Sequence, residues 1–413
     1  MRKEFISSNS LWTLEMSLKK IFCFENSNHP LLGPNLYGLQ CWGLWQRNRL
    51  ERYFYNIIHI LAFIFVLTQY IELWIIRSDL GMALRNLSVT MLSSVCVFKA
   101  ATFVLWQKSW KELIEFVSNL EVQQLSTNDM KTKRFISGYT KYSRKITYFY
   151  WGLTTATVFS VILAPLFGFL STPAHRERMR NGSMAYPEIM SSWVPFDRTR
   201  GIGYWVTIVE HTLICFYGGG VVASYDSNAV VIMSFFAGQL DLLSANCARL
   251  FGEDDEIINY DEVARRIKHC HHHHLNLIKF SNILNSLLSP VMFLYVIICS
   301  LMICSSAVQL TMEGVSSVQR VWVAEYLVAL IAQLFLYCWH SNEVINKVSY
   351  GVYSSAWWSQ NVRVRRSLLL LSGQLRKPIV FTAGPFTTLN IATFITILKG
   401  SYSYYTLLSK KED

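Results

Sequence analysis

Apolar runs long enough to cross a membrane alternate with polar, charged segments along this chain. A helix needs about 19 residues to traverse ~30 Å of hydrocarbon. Seven runs meet that length, near residues 57–76, 86–106, 146–170, 204–236, 283–306, 321–342 and 379–408. The second is the least apolar, since it holds Lys99 and several serines, yet "VTMLSSVCVF" carries it across. The fourth is long and encloses Glu210, His211 and Asp226. The pattern predicts an all-α membrane protein with seven transmembrane helices, organised as one domain over 1–413, for no Gly/Ser/Pro linker and no internal repeat divides it.

Between the runs, 107–145 contains "WKELIEFVSNL", and 237–282 contains "FAGQLDLLSANCARLF" and "YDEVARRIKHCHHHHLNLIKFSNIL". Apolar residues recur there every three or four positions, as on amphipathic helices. Together with 343–378, these segments are expected to extend the spans into a cytosolic helical layer where subunits pack.

Composition strengthens the membrane reading. The 413 residues are 52% hydrophobic and 16% charged, with mean hydropathy +0.26. A net charge of +11 would suggest nucleic acid in a soluble protein. Here it fits basic loops against an anionic cytoplasmic leaflet, and no nucleic-acid partner is expected. Lysines and arginines number 26 in segments 1–56, 107–145, 237–282 and 343–378, against 10 in the alternate set. By the positive-inside rule the N-terminus is cytoplasmic and the C-terminus extracellular. The first twenty residues lack the apolar core of a cleavable signal peptide, which points the same way. Asn181, in the sequon Asn181-Gly182-Ser183, then falls in an outside loop as a glycosylation candidate. None of the nine cysteines does, so Cys23, Cys41, Cys247 and Cys270 read as reduced cytosolic thiols.

Catalysis finds little support. No His-Glu-x-x-His, serine-nucleophile elbow or phosphate-cradling glycine loop occurs, so an enzyme is not expected. "HCHHHH", His269 to His274, suggests zinc at first sight. Successive helical residues point about 100° apart, however, so the run reads as a polar helix face and no metal or cofactor is predicted. The "GGG" at 218–220 reads as close helix approach or a kink. Glu210-His211 is the better functional candidate, because ionisable groups at membrane depth are costly and face a bundle interior.

The last run carries the most informative pattern. Thr393, Thr396, Gly400, Ser403, Leu407 and Lys411 follow at steps of three or four, giving one small, hydroxylated stripe that closes on a leucine. Copies of such a helix around an axis line a pore, with Leu407 as the hydrophobic constriction. The same stripe equally suits a close helix–helix contact within one chain. Periodicity alone leaves both open.

The ending "KPIVFTAGPFTTLNIATFITILKGSYSYYTLL", 377–408, closely resembles the last segment of insect odorant receptors, as does "HCHHHHLNLIKFSNILNSLLSP", 269–290, at the entry to the fifth span. A G-protein-coupled receptor is excluded by the inverted orientation and by the lack of its usual motifs; the only Asp-Arg pair, Asp197-Arg198, lies in an outside loop. The resemblance implies an odour-tuning subunit of a ligand-gated, non-selective cation channel, tetrameric with an odorant co-receptor, in the plasma membrane of a sensory neuron dendrite. It places Leu407 at the gate, Lys411 one turn outward and Tyr404 nearby, with Ser403, Gly400 and Thr396 lining the pore. Four copies of Lys411 would repel cations, which favours mixed assembly. The family's odour pocket lies in the outer half of the membrane, where this chain offers Met91, Val158, Ile162, Ile208, His211, Trp322 and Tyr326. That lining suits a small volatile, mostly apolar molecule with one polar handle, met by His211 or Tyr326. A metabotropic or gustatory-like seven-helix receptor, or a transporter of small hydrophobic molecules, is the alternative; transporters usually show inverted repeats.

Overall fold

The computed structural model describes residues 26, 28–127, 129–171, 177, 186–198, 201–252, 259–311, 317–347 and 351–409. In chain order the helices are α1 (Gly33–Cys41), α2 (Arg49–Ile75), α3 (Leu80–Leu105), α4 (Gln107–Ser126), α5 (Met130–Ser171), α6 (Gly201–Ala248), α7 (Tyr260–Thr311), α8 (Ser317–Asn346), α9 (Gly351–Ser354), α10 (Val362–Leu375) and α11 (Ile391–Ser409). Two-residue strands β1 (Thr382–Ala383) and β2 (Thr387–Thr388) pair antiparallel just before α11.

Local chemistry sets where the helices begin. Asp79 caps α3 by accepting from the Met82 amide, and Asn361 caps α10 by accepting from the Val364 amide. The α3–α4 boundary is a one-residue break at Trp106, whose amide still closes the last turn of α3 on the Thr102 carbonyl. Six of the helices, α2, α3, α5, α6, α7 and α8, are long and apolar enough to cross a membrane. With α11, of 19 residues, they make the seven transmembrane helices of an all-α membrane protein.

Several of these helices far outrun a bilayer. At ~1.5 Å per residue, the 52 residues of α7 span about 78 Å. Their excess, with α4, α9 and α10, forms the helical layer expected from 107–145, 237–282 and 343–378. In it Phe116 of α4 stacks flat on Phe280 of α7, with ring centroids 3.7 Å apart. Gln124 and Gln239 exchange amide hydrogen bonds of 2.8 Å, and the His273 ring meets Gln239 at 3.1 Å. The N-terminal segment, for which no helix was foreseen, joins this layer through α1. The Leu31 amide donates to Glu121, and the Thr147 hydroxyl donates to Asn35.

Two sequence expectations change here. The final helix begins at Ile391 rather than near 379, because residues 379–390 spend their backbone on a hairpin laid against α7. The Thr382 amide donates to Asn285, and the Gly384 amide, at φ 68°, donates to Ser289. Gly384, Pro385 and Asn390 are turn-forming residues whose signal is averaged away when the run is read as one apolar stretch. The histidine run winds around α7: His269 and His272 are exposed, while His273 and His274 are buried. No group of three metal-ligating side chains converges there among the described residues.

Candidate ligand pocket and pore helix

Lys99 and Asp226, each noted separately as an ionisable residue within a span, prove to be partners. Lys99 Nζ of α3 lies 2.6 Å from Asp226 Oδ1 of α6, with both side chains removed from solvent. Tyr337 donates to the same oxygen at 2.7 Å, while Tyr150 and Gln333 donate to Oδ2 at 2.7 and 2.5 Å. Four donors saturate the carboxylate, which satisfies the condition for tolerating a buried charge. The Lys99 ammonium also sits 5.1 Å from the centre of the Tyr295 ring. The cluster ties α3, α5, α6 and α8 together in the inner half of the bundle, beneath the candidate ligand residues.

Those same four helices carry all seven of these residues. Met91 packs on the core from α3. Val158 of α5 closes on Gly219 of α6, where an added Cβ would stand 2.3 Å from its methyl group. Trp322 of α8 leans on Phe167 of α5, with ring centroids 5.6 Å apart, and the Tyr326 hydroxyl reaches the Ser88 carbonyl of α3 at 3.5 Å. Nearby, Ser88, Ser305 and Gln309 hydrogen-bond one another at 3.0 to 3.3 Å. Ile162 and Ile208 are half-buried.

His211 has different neighbours. It is fully buried, edge-on to Phe65 of α2, and its Nε2 meets the Ser192 hydroxyl of the outer loop at 2.9 Å. That loop, residues 186–198, is bound to the bundle by Arg198, which pairs with Glu72 at 2.6 Å and Glu188 at 3.1 Å and donates to the Ser192 carbonyl. The Trp193 amide adds a bond to the Thr68 carbonyl. Burial outweighs the Arg198 attraction and raises the Glu188 carboxyl above its ordinary range.

Helix α11 presents two faces. Phe394, Ile397 and Leu398 pack on the core, and Ser401 is buried with its hydroxyl on the Ser300 carbonyl. Thr396, Ser403 and Tyr404 are exposed, and a Cβ added at Gly400 would meet nothing within 4 Å. Gly400 therefore makes no close helix contact among the described residues, while Thr393 of the same stripe is half-buried and donates to the Thr388 carbonyl. Lys399 stands exposed beside the stripe. Leu407 lies in the last turn of α11, where side chains fall outside the described set; Lys411 and Asn181 also lie outside the described residues.

A family model described as 7tm Odorant receptor matches residues 79–402. The chain belongs to that family. Among its relatives, odorant receptor Or2 of Anopheles gambiae is 22% identical over 388 residues, covering 92% of this chain and 98% of that one. Odorant receptor 82a of Drosophila melanogaster is 25% identical over 369 residues, covering 86% and 92%. The fold is similar to the solved structure of the insect olfactory receptor OR5 from Machilis hrabei in complex with eugenol: TM-score 0.76, 16% identity, 92% of this chain and 97% of that one. The OR5 structure described without eugenol gives TM-score 0.74 at 17% identity, over 91% and 97%.

In this odorant receptor, a multi-pass membrane protein, two features escaped the sequence reading. One is the pairing of Lys99 with Asp226. The other is Glu325, an acid one residue from Tyr326 that the Thr157 hydroxyl approaches to 2.9 Å. Its signal was available, a carboxylate inside an apolar run.

Proposed function

We propose that this receptor is the odour-binding subunit of a ligand-gated, non-selective cation channel, assembled as a tetramer with an odorant co-receptor in the plasma membrane of a sensory neuron dendrite. Its N-terminus is cytoplasmic and its C-terminus extracellular, following the loop charges. The observation that carries the reading is the stripe Thr396, Gly400, Ser403 on α11, small and hydroxylated, with Thr396 and Ser403 exposed and open space over Gly400 among the described residues. A lipid-facing surface has no use for Lys399 beside that stripe, whereas a water-filled passage between subunits does. Leu407, one turn further out on the same stripe, is the gate, with Lys411 and Tyr404 at its outer mouth.

The ligand is a small volatile organic molecule held between α3, α5, α6 and α8 by Met91, Val158, Ile162, Ile208, Trp322 and Tyr326. His211, occupied with Ser192, holds the outer loop over that site. Eugenol in the OR5 complex supports a small organic ligand in this fold. Ligand binds the open arrangement better than the closed one, and that difference in affinity moves Leu407 from the axis. The Lys99–Asp226 tie makes the four pocket helices move as a unit.

Cysteine substitution tests the pore. In receptor co-expressed with the co-receptor, Thr396→Cys, Gly400→Cys and Ser403→Cys are expected to let a charged thiol reagent block the odour-evoked current, and Ser401→Cys to stay insensitive. Block through position 401 but none through 396, 400 and 403 would reverse the assignment.

A further inference from the structure

The pocket proposed above contains one group that an apolar odour site does not require. Glu325 lies on α8 between Trp322 and Tyr326, and residues at i, i+3 and i+4 share a helix face. Trp322 meets Phe167 of α5 on that face, Glu325 meets Thr157 of α5, and Tyr326 meets Ser88 of α3. The carboxylate is thus turned towards α5, on the helix face that Trp322 and Tyr326 share.

Its contacts leave it under-satisfied. Among the described residues no lysine, arginine or histidine lies within ion-pair range of Glu325. Among the described residues its one hydrogen bond comes from Thr157, whose hydroxyl is also within reach of the Leu153 carbonyl at 3.1 Å and has a single proton to give. A carboxylate can accept about four hydrogen bonds, and at membrane depth each unmet one is costly. One turn away, the buried Trp322 Nε1–H finds no acceptor among the described residues. The contrast with Asp226, whose oxygens hold four donors, is direct.

We propose that Glu325 is the specificity-determining residue of the odour site and that it selects volatiles bearing an N–H or O–H donor, an amine or an alcohol, over acceptor-only molecules of the same shape. The donor completes the carboxylate, the indole N–H donates to whatever lone pair the ligand offers, and the rings of Trp322 and Phe167 cover its carbon skeleton. This inference rests on the pocket reading above.

The test uses the receptor expressed with the co-receptor and matched probes: hexan-1-ol, hexan-1-amine and hexanal, with benzyl alcohol, benzylamine and benzaldehyde. A wider volatile panel is ranked alongside. The most potent agonists are expected to carry a donor. Glu325→Gln, which keeps size and removes charge, should weaken donor-bearing agonists by about tenfold, the scale of one charge-assisted hydrogen bond, and leave acceptor-only agonists nearly unchanged. An ammonium is the species bound if amine potency falls as external pH rises through the amine's own pKa, and a neutral donor if it does not; either supports the proposal. Acceptor-only agonists at the head of the ranking, or equal losses for both classes with surface expression intact, would overturn it. The pocket reading fails separately, if Ile162→Phe and Tyr326→Ala alter the potency of no agonist.

Discussion

Lys99 shows what one residue is made to do in this protein. An ammonium and a carboxylate buried together are tolerated because every proton and lone pair is met, not because the attraction is large. Removing one partner strands the other, at a cost of about 3–5 kcal/mol. Lys99→Met is therefore expected to reduce the surface pool sharply, and Lys99→Met with Asp226→Asn to recover part of it, as surface biotinylation would measure. A double variant no better than the single one would show that the ion pair itself is not what is lost. Gly220 makes a steric point at the same scale. A Cβ there would stand 1.8 Å from the Trp42 ring, so α6 admits the N-terminal segment only because this position lacks a side chain. Gly220→Ala should cost about 1–3 kcal/mol, typical of overpacking, and lower the melting temperature of the purified protein. Of these contacts, the sequence offered Lys99 and Asp226 as two expensive residues in separate spans. It offered no clue that they meet, since they are far apart in the chain and neither periodicity nor composition encodes a partner.

Among the elements, helix α7 joins the membrane bundle to the helical layer beyond it. Its membrane half receives α11 and the 382–388 hairpin, and its cytosolic half carries the histidine run. Burial, reinforced by the neighbouring imidazoles, lowers the His273 pKa to about 4, while Gln239 holds the neutral ring. For a base whose folded pKa is depressed, the unfolded chain binds the proton first, so stability falls as pH drops from about 6.5 towards 4. Between pH 7.5 and 5.5 the loss from this residue is about 1 kcal/mol. Thermal melts of the solubilised receptor should show that decline, and His273→Gln should flatten it; a variant with an unchanged slope would assign the pH effect elsewhere. The hairpin marks where reading by element stops working. Residues 379–390 mix apolar residues with Gly384, Pro385 and Asn390, and Asn285 and Ser289 offer them hydrogen bonds that a straight helix cannot use.

At the scale of the whole molecule, α11 remains half-dressed in a single chain. Its core face is packed, while Thr396 and Ser403 of its hydroxylated stripe are exposed, which suits the proposed multi-subunit pore. Co-expression with the odorant co-receptor should yield ligand-evoked current, and expression alone should yield none or far less, since four Lys411 side chains around one axis would oppose cation entry. Equal currents with and without the co-receptor would favour a homomeric channel. Current that required G-protein components would favour the metabotropic alternative.

Hydrophobic periodicity by itself determined the class of fold, the approximate position of six spans, the existence of a helical layer beyond them and the small stripe on the last helix. These follow from local rules: a run of about 20 apolar residues has one favourable conformation in lipid, and its side chains fall on faces set by the helical repeat. The tertiary structure alone decided which buried charges neutralise each other, that His211 meets Ser192 of the outer loop, that 379–390 folds back as a hairpin, and that Glu325 meets Thr157 of α5. Each of those depends on the relative rotation and depth of helices distant in sequence. That is settled by packing and by the need to satisfy every buried polar atom at once, and no short stretch of the chain contains it.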